Sequence, residues 1–352
     1  MTTARADAWP PLPPPVGPVD EGAVEAAAAE LSARCPGRLG ERVPLAPLTT
    51  FRLGGPARLL LHAERTEDLV ALAEVLAATR LPLLVLGRGS NLLVADAGWP
   101  GVVVRLGERM RAIAVDGDEV EAGGAAPMPS LAARTAAASL GGLAFAVAIP
   151  GSVGGGVRMN AGAHGSELAD RLVWAEVVDL AAGAAAEPTR RKPDELGLSY
   201  RRSALPPTAV VTAARFACEP APEERVREEI AEARRWRRDN QPVNQPNCGS
   251  VFANPLPLAA GHVVERLGMK GERSGGARVS EIHANFIVAA DGARSADVLE
   301  LIRRAMRRAR DELGIELRTE VQLVGDFTQP EASGGSTGPE AAGNLAGPEA
   351  AG

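Results

Sequence analysis

The chain has 352 residues, 45% hydrophobic and 23% charged, a size and balance that suit two or three packed globular units. Its 38 basic and 44 acidic residues give a net charge of −6, which argues against a nucleic-acid partner. Three cysteines, Cys35, Cys218 and Cys248, show neither a CxxC pair nor metal-finger spacing, so no metal site is expected and a reducing cytoplasm is.

Residues 1–20 are rich in proline, from Trp9-Pro10-Pro11 to Pro18, and read as a disordered arm. They lack the apolar core of a secretory signal. No stretch approaches the roughly 20 apolar residues of a membrane span, so a cytoplasmic chain without membrane contact is expected. Arg58–His62 reads as a strand and Thr66 as the N-cap of a helix carrying Leu69, Leu72, Ala73 and Leu76. Leu83–Leu86 is a second strand ending at a glycine loop, which makes a βαβ-like unit with the loop at the strand's carboxyl end. Val102–Val104 and Val120–Ala122 suggest further strands, and Leu131–Leu140 a helix stopped by Gly141-Gly142.

A more charged style begins near Glu223. Glu224–Arg238 reads as a helix running into the turn-rich Asn240–Pro246. Another helix follows Ser295, with Val298, Leu301, Ile302, Ala305, Met306 and Ala309 on one face. Its opposite face carries Arg303, Arg304, Arg307 and Arg308, which reads as solvated. Ile315–Leu323 alternates strictly, as a half-buried strand does, with Glu320 on the polar side. From about Gln329 the chain repeats Gly-Pro-Glu-Ala-Ala-Gly, a compositional tail.

Two loops carry the first functional signal. Gly87-Arg88-Gly89-Ser90-Asn91 places glycines where a strand turns sharply, so that N–H groups can face a pyrophosphate. It matches neither the GxGxxG fingerprint nor a Walker loop. The second, Ile149–Gly162, holds too many glycines for a regular element, while Pro150 argues for a fixed shape over a flexible hairpin. Together they are placed to clamp a dinucleotide. Far downstream, Ser250 sits in Asn247-Cys248-Gly249-Ser250-Val251-Phe252-Ala253-Asn254-Pro255. Beside a large cofactor such a hydroxyl suits proton delivery in redox chemistry; alone, it reads first as a turn serine bonding its own backbone.

The segments Thr49–Ala57, Gly87–Val94, Ile149–Gly165, Leu198–Ser203, Asn247–Pro255, Gly275–Ser280, His283–Val288 and Leu317–Gly325 follow one another in a familiar order. Over about residues 45 to 326 the chain resembles the UDP-N-acetylmuramate dehydrogenase family, also called UDP-N-acetylenolpyruvoylglucosamine reductases. The resemblance implies an α+β protein: a two-lobed FAD-binding region of the vanillyl-alcohol-oxidase type, then an α+β substrate-binding domain. On this reading the FAD region covers 21–218, with lobes of about 45–106 and 107–218, the substrate domain 219–326, and a disordered tail 327–352.

FAD would be held noncovalently by Gly87, Gly89, Ser90, Asn91, Ile149, Pro150, Gly151, Ser152, Gly154, Gly155, Asn160 and Gly162. NADPH would reduce it, and the enolpyruvyl sugar nucleotide would then enter the same pocket. Hydride would go to C3 of the enolpyruvyl group. Arg201 and Glu320 would flank its carboxylate, and Ser250 would give a proton to C2. By themselves Arg201 and Arg202 are equivalent, and Glu320 reads as a solvated strand carboxylate; the family's Tyr-Arg-x-Ser register selects Arg201. Tyr200, His164 and Asn254 are the implied substrate contacts, and a monomer is expected.

Two departures stand out. Ala253 occupies a position where many relatives carry lysine, and only about forty residues separate Arg201 from Asn240. The second resembles the shorter type II branch, which lacks a tyrosine-bearing loop over the nucleotide. The alternative is an FAD-dependent oxidase of a sugar or alcohol on the same fold.

Overall fold

The computed structural model describes residues 17–328. The expected tail beyond Thr328 and most of the expected N-terminal arm lie outside these residues.

Helix Glu21–Arg34 covers a four-stranded sheet in the order Leu39–Pro44, Pro56–Ala63, Trp99–Leu106, Leu83–Val85. The last three strands are parallel, and Trp99–Leu106 is inserted between the two strands of the expected βαβ unit. Leu59, Leu60 and Leu61 are all buried, because this sheet is covered on both faces. Helix Thr66–Thr79 begins one residue earlier than expected: Arg65, not Thr66, is at the cap position. The buried Asp68 carboxylate decides this by accepting from the Glu64 and Arg65 N–H groups at 2.8 and 3.1 Å.

The second lobe is an antiparallel sheet in the order Thr189–Arg191, Leu172–Asp179, Ala209–Ala217, Glu119–Gly123, Ile113–Asp116. Helix Met128–Ala137 packs Leu131 and Ala132 into its core beside Phe216. The helix expected to reach Leu140 stops at Ala137. Ser139 adopts φ 56°, and Leu140–Gly141 leaves to pair with Glu219–Pro220. Helix Glu223–Asn240 buries Val226, Ile230 and Ala233 in this same core, so the charged helix belongs by packing to the second lobe.

The third core is built on helix Ser295–Leu313, against a small sheet of Arg273–Ser274, Ala277–Val279 and Ile287–Ala289. All six apolar residues expected on its inner face are buried. The arginine face is pinned rather than merely solvated: Arg304 pairs with Glu272 at 2.6 Å, Arg307 with Glu300 at 3.3 Å and Arg308 with Glu312 at 2.6 Å. Phe51, Leu53 and Leu93 from the first lobe complete this core. Asp96 caps the helix by accepting from Ser295 N–H at 2.8 Å and Ala296 N–H at 3.1 Å, a cross-link between distant segments.

The single strand expected over Ile315–Leu323 is two. Arg318–Thr319 pairs with Phe252–Ala253, and Gln322–Val324 runs parallel to Leu92–Val94. The chain changes partner at Glu320, whose N–H donates to Val251 O at 2.8 Å. Competing partners on either side break a pattern that alternates throughout.

Candidate active site

A cleft of about 480 Å³ opens where the two glycine loops meet the C-terminal segments. The loops touch: Arg88 Nε donates to Pro150 O at 2.8 Å. Gly89 has φ 60°, and a Cβ there would lie 2.4 Å from Leu48 O, so only glycine lets the turn approach the end of the short helical turn Ala46–Leu48. Among the described residues, the N–H groups of Gly87, Arg88, Gly89 and Ser90 donate to no protein acceptor. Such uncommitted donors at a strand end form an anion cradle.

The second loop contains a regular element after all. Val153–Arg158 is a short helix, with Ser152 Oγ accepting from Gly155 N–H at 3.4 Å. Its glycines serve close packing: a Cβ on Gly154 would meet Val211 O at 2.9 Å and Gly124 O at 3.1 Å. A narrower space of about 80 Å³ continues from the cleft between the lobes, past Gly87, Ser152 and Gly154 to Val104 and Val211. A long, mostly apolar slot with a donor-lined waist fits a dinucleotide cofactor such as FAD.

Of the residues expected to hold that cofactor, eleven line the cleft or its extension, and Asn160 does not. Asn160 is fully buried. Its Oδ1 accepts from Ala169 N–H at 2.9 Å and its Nδ2 donates to Ser199 O at 3.2 Å, so it holds the framework.

Arg201, Ser250 and Glu320 come together on one wall. A tight turn sets the arginine, closed by mutual hydrogen bonds of Ser199 and Arg202 at 2.9 and 3.0 Å. Arg201 takes φ 57°, a conformation costing a non-glycine residue about 1–3 kcal/mol. The result separates two residues that are equivalent in sequence: Arg201 enters the cleft and Arg202 is exposed. Arg201 Nε donates to Glu320 Oε1 at 3.1 Å and Nη2 to Gly162 O at 2.8 Å. Burial raises the pKa of Glu320 above the ordinary carboxyl value, and Arg201 only partly offsets this.

Ser250 follows Gly249, which has φ 80°, and its hydroxyl makes no hydrogen bond to the protein among the described residues. It is therefore not a turn serine satisfied by its own backbone. Asn285 fixes this segment: its main-chain O accepts from Val251 N–H at 2.8 Å, and its side chain bridges Phe252 N–H and O at 2.9 and 2.8 Å. Asn285 is buried, so Asn285→Ala leaves both Phe252 groups without a partner. The expected result is a loss of about 2–4 kcal/mol in urea unfolding, with a matching loss of activity. A variant as stable as the wild type would remove this role.

The chain matches two family models. One is "UDP-N-acetylenolpyruvoylglucosamine reductase, C-terminal domain", over residues 241–324; the other is "FAD binding domain", over 57–187. A UDP-N-acetylenolpyruvoylglucosamine reductase of Bacillus velezensis is 40% identical over 298 residues, 84% of this chain and 97% of the relative. One from Anaeromyxobacter sp. is 42% identical over 309 residues, 87% and 95% of the two chains. A solved UDP-N-acetylenolpyruvylglucosamine reductase of Thermus caldophilus superposes with a TM-score of 0.70 at 38% identity, covering 81% of this chain and 98% of that one. The chain belongs to the UDP-N-acetylenolpyruvoylglucosamine reductase family.

The two-lobed FAD-binding region and α+β C-terminal domain expected of the family are both present. His164 lines the cleft at φ 52°, its ring edge-on to Trp236. Tyr200 is 44% exposed and lies against Arg201, whose Cζ is 5.0 Å from the ring centroid, outside the cleft lining. Asn254 is also outside: its Oδ1 accepts from Ala260 N–H at 3.0 Å, capping the next helix. The cleft includes three residues that sequence reasoning passed over, Trp236, Arg237 and Gln241. Their signal was position, since the charged helix ends just before the segment bearing Ser250.

Cys248 reaches the cleft too, but burial, with Glu320 nearby, drives its pKa far above the usual thiol range. It stays a thiol and is no nucleophile. Among the described residues no helix is long and apolar enough to cross a membrane.

Proposed function

We propose that this chain reduces the enolpyruvyl group of UDP-N-acetylglucosamine enolpyruvate to the lactyl ether of UDP-N-acetylmuramate, a step of peptidoglycan precursor synthesis, with FAD as carrier and NADPH as reductant. The observation that carries it is the convergence of Arg201, Glu320 and Ser250 on one wall of the FAD cleft. An oxidase has no use for this combination, because removing hydride from an alcohol creates no carbanion to protonate.

FAD, when bound, supplies hydride chemistry that no side chain provides, and the donors of Gly87–Ser90 and the Ile149–Gly155 loop would hold it noncovalently. The side chains manage the charge. Adding hydride at C3 leaves an electron pair at C2 that spreads into the adjacent carboxylate. Arg201 offers that carboxylate a planar fork of donors, already oriented by Gly162 O. Glu320, whose burial favours the neutral form, would in that form donate a hydrogen bond as charge accumulates. Ser250 gives its proton to C2, which completes addition across the double bond. The same reading takes the enzyme to act as a monomer in the cytoplasm.

The direct test is anaerobic absorbance of the purified protein. Flavin bands should bleach with NADPH and return on adding the enolpyruvyl sugar nucleotide. Bleaching without recovery would leave a flavoprotein with another substrate.

A pH dependence follows from Glu320. Its folded-state pKa is raised, so its contribution to folding is complete below the unfolded value and is lost as pH rises through the folded one. Catalysis that needs the protonated form falls over the same alkaline limb. In rapid-mixing measurements of the sugar-nucleotide half-reaction, this limb should vanish in Glu320→Gln, whose amide donates at every pH. If the limb persists unchanged in that variant, the Glu320 assignment is wrong.

A further inference from the structure

At the cleft's mouth, helix Glu223–Asn240 turns its last residues inward, and Trp236 lines the cleft while remaining 45% exposed. An indole at the rim of a cleft offers a flat apolar surface to whatever enters it. It is held in place: the His164 ring meets it edge-on, centroids 5.2 Å apart at 84°, so one indole face is braced sideways. The next residue, Arg237, also lines the cleft. It is part-buried, its Nε donates to Gln241 Oε1 at 3.0 Å, and no carboxylate among the described residues pairs with it. Burial lowers its pKa, the mark of a cation held out of water without a counter-charge. A flat aromatic surface beside an uncompensated guanidinium is chemically matched to the base and phosphates of a nucleotide.

We propose that Trp236, braced by His164, is the base-stacking residue for a nucleotide entering this cleft, with Arg237 beside it for a phosphate oxygen. The inference rests on the reductase reading and adds a residue that sets nucleotide affinity and specificity. Two nucleotides visit the cleft on that reading, the sugar nucleotide and NADPH, and both present a planar base on a diphosphate.

The test is calorimetric titration of UDP and, separately, NADP+ into wild-type, Trp236→Ala and Trp236→Phe holoenzymes, with flavin absorbance and melting temperature recorded for each. Trp236→Ala should weaken UDP at least about fivefold, the lower bound of base–aromatic stacking, and Trp236→Phe should recover most of it. In turnover the same loss should appear in KM for the sugar nucleotide rather than in kcat. A loss for UDP alone assigns the stacking residue to the sugar nucleotide, for NADP+ alone to the reductant, and for both to each in turn. Unchanged affinity for both ligands in Trp236→Ala, or no rescue by Trp236→Phe, overturns the proposal. Wild-type protein that binds UDP but does not oxidise NADPH with the enolpyruvyl substrate would instead fail the reductase reading, leaving the stacking result to stand.

Discussion

Ser250→Ala should lower the rate of the sugar-nucleotide half-reaction by about 10²–10⁴-fold or more, while NADPH bleaches the flavin as fast as in the wild type. Two observations set the size of this effect. Ser250 is placed on the cleft wall by the Asn285 bridge and by the Gly249 turn, and its hydroxyl is not used to hold the backbone. Removing it should therefore leave the fold and the FAD site intact and delete only the proton donor. The neighbouring Cys248 is a poor substitute, because its side chain is buried and its thiol is directed at Gly249 O, 3.9 Å away. Ser250→Cys should recover part of the lost rate, since a thiol placed at position 250 can itself give a proton. Rapid mixing of reduced enzyme with substrate separates the half-reactions. A Ser250→Ala enzyme within threefold of wild type in that step would eliminate Ser250 as the donor.

Arg201→Gln is expected to cost about 10²–10³-fold in the same half-reaction, comparable to deleting a preorganised donor from an oxyanion site. The residue is expensive to hold: its backbone is in the left-handed region, and its guanidinium is split between Glu320 and Gly162 O. Such local strain is what a site stores when a side chain must arrive at one position. Arg201→Lys should restore only a small part, because a point charge does not match the planar fork of the carboxylate contact. Losing Arg201 also removes the group that offsets burial at Glu320, so the alkaline limb assigned to Glu320 should move upward in pH in Arg201→Gln. A steady-state profile with an unmoved limb would separate the two residues and refute their coupling. Arg202→Gln is the internal control, since Arg202 faces solvent and should change the rate little.

The amino-acid sequence by itself determined the class of fold, the order of its segments and most of the residues that meet in the cleft. Strands such as Arg58–His62 and the helix after Ser295 were legible because their apolar residues repeat at the period of the element. The glycine loops were legible because few residue types fit a donor-lined turn at a strand end. Where the structure departs from the local pattern the cause is shared: a local pattern does not name its partner. Thr66 is a good cap, yet Asp68 placed the helix start at Arg65. Ile315–Leu323 alternates throughout, yet two different neighbours claim its halves, and the break between them turns Glu320 into the cleft. Asn160 lies in a functional-looking motif, but its amide is consumed by Ala169 and Ser199.

The family register already selected Arg201 over Arg202, but only the tertiary structure gave the physical reason, a one-residue turn geometry that separates inside from outside there. It alone gave Glu320 its raised pKa, since burial is a property of what surrounds a carboxyl group. It alone brought Trp236 to the cleft: the helix that carries it packs on the second lobe, and its last turn happens to end at the mouth. Periodicity and motif spacing are local and survive in one dimension. Which side chains share a dielectric environment depends on contacts between residues more than a hundred positions apart, as between Arg201 and Glu320, and those exist only once the chain has folded.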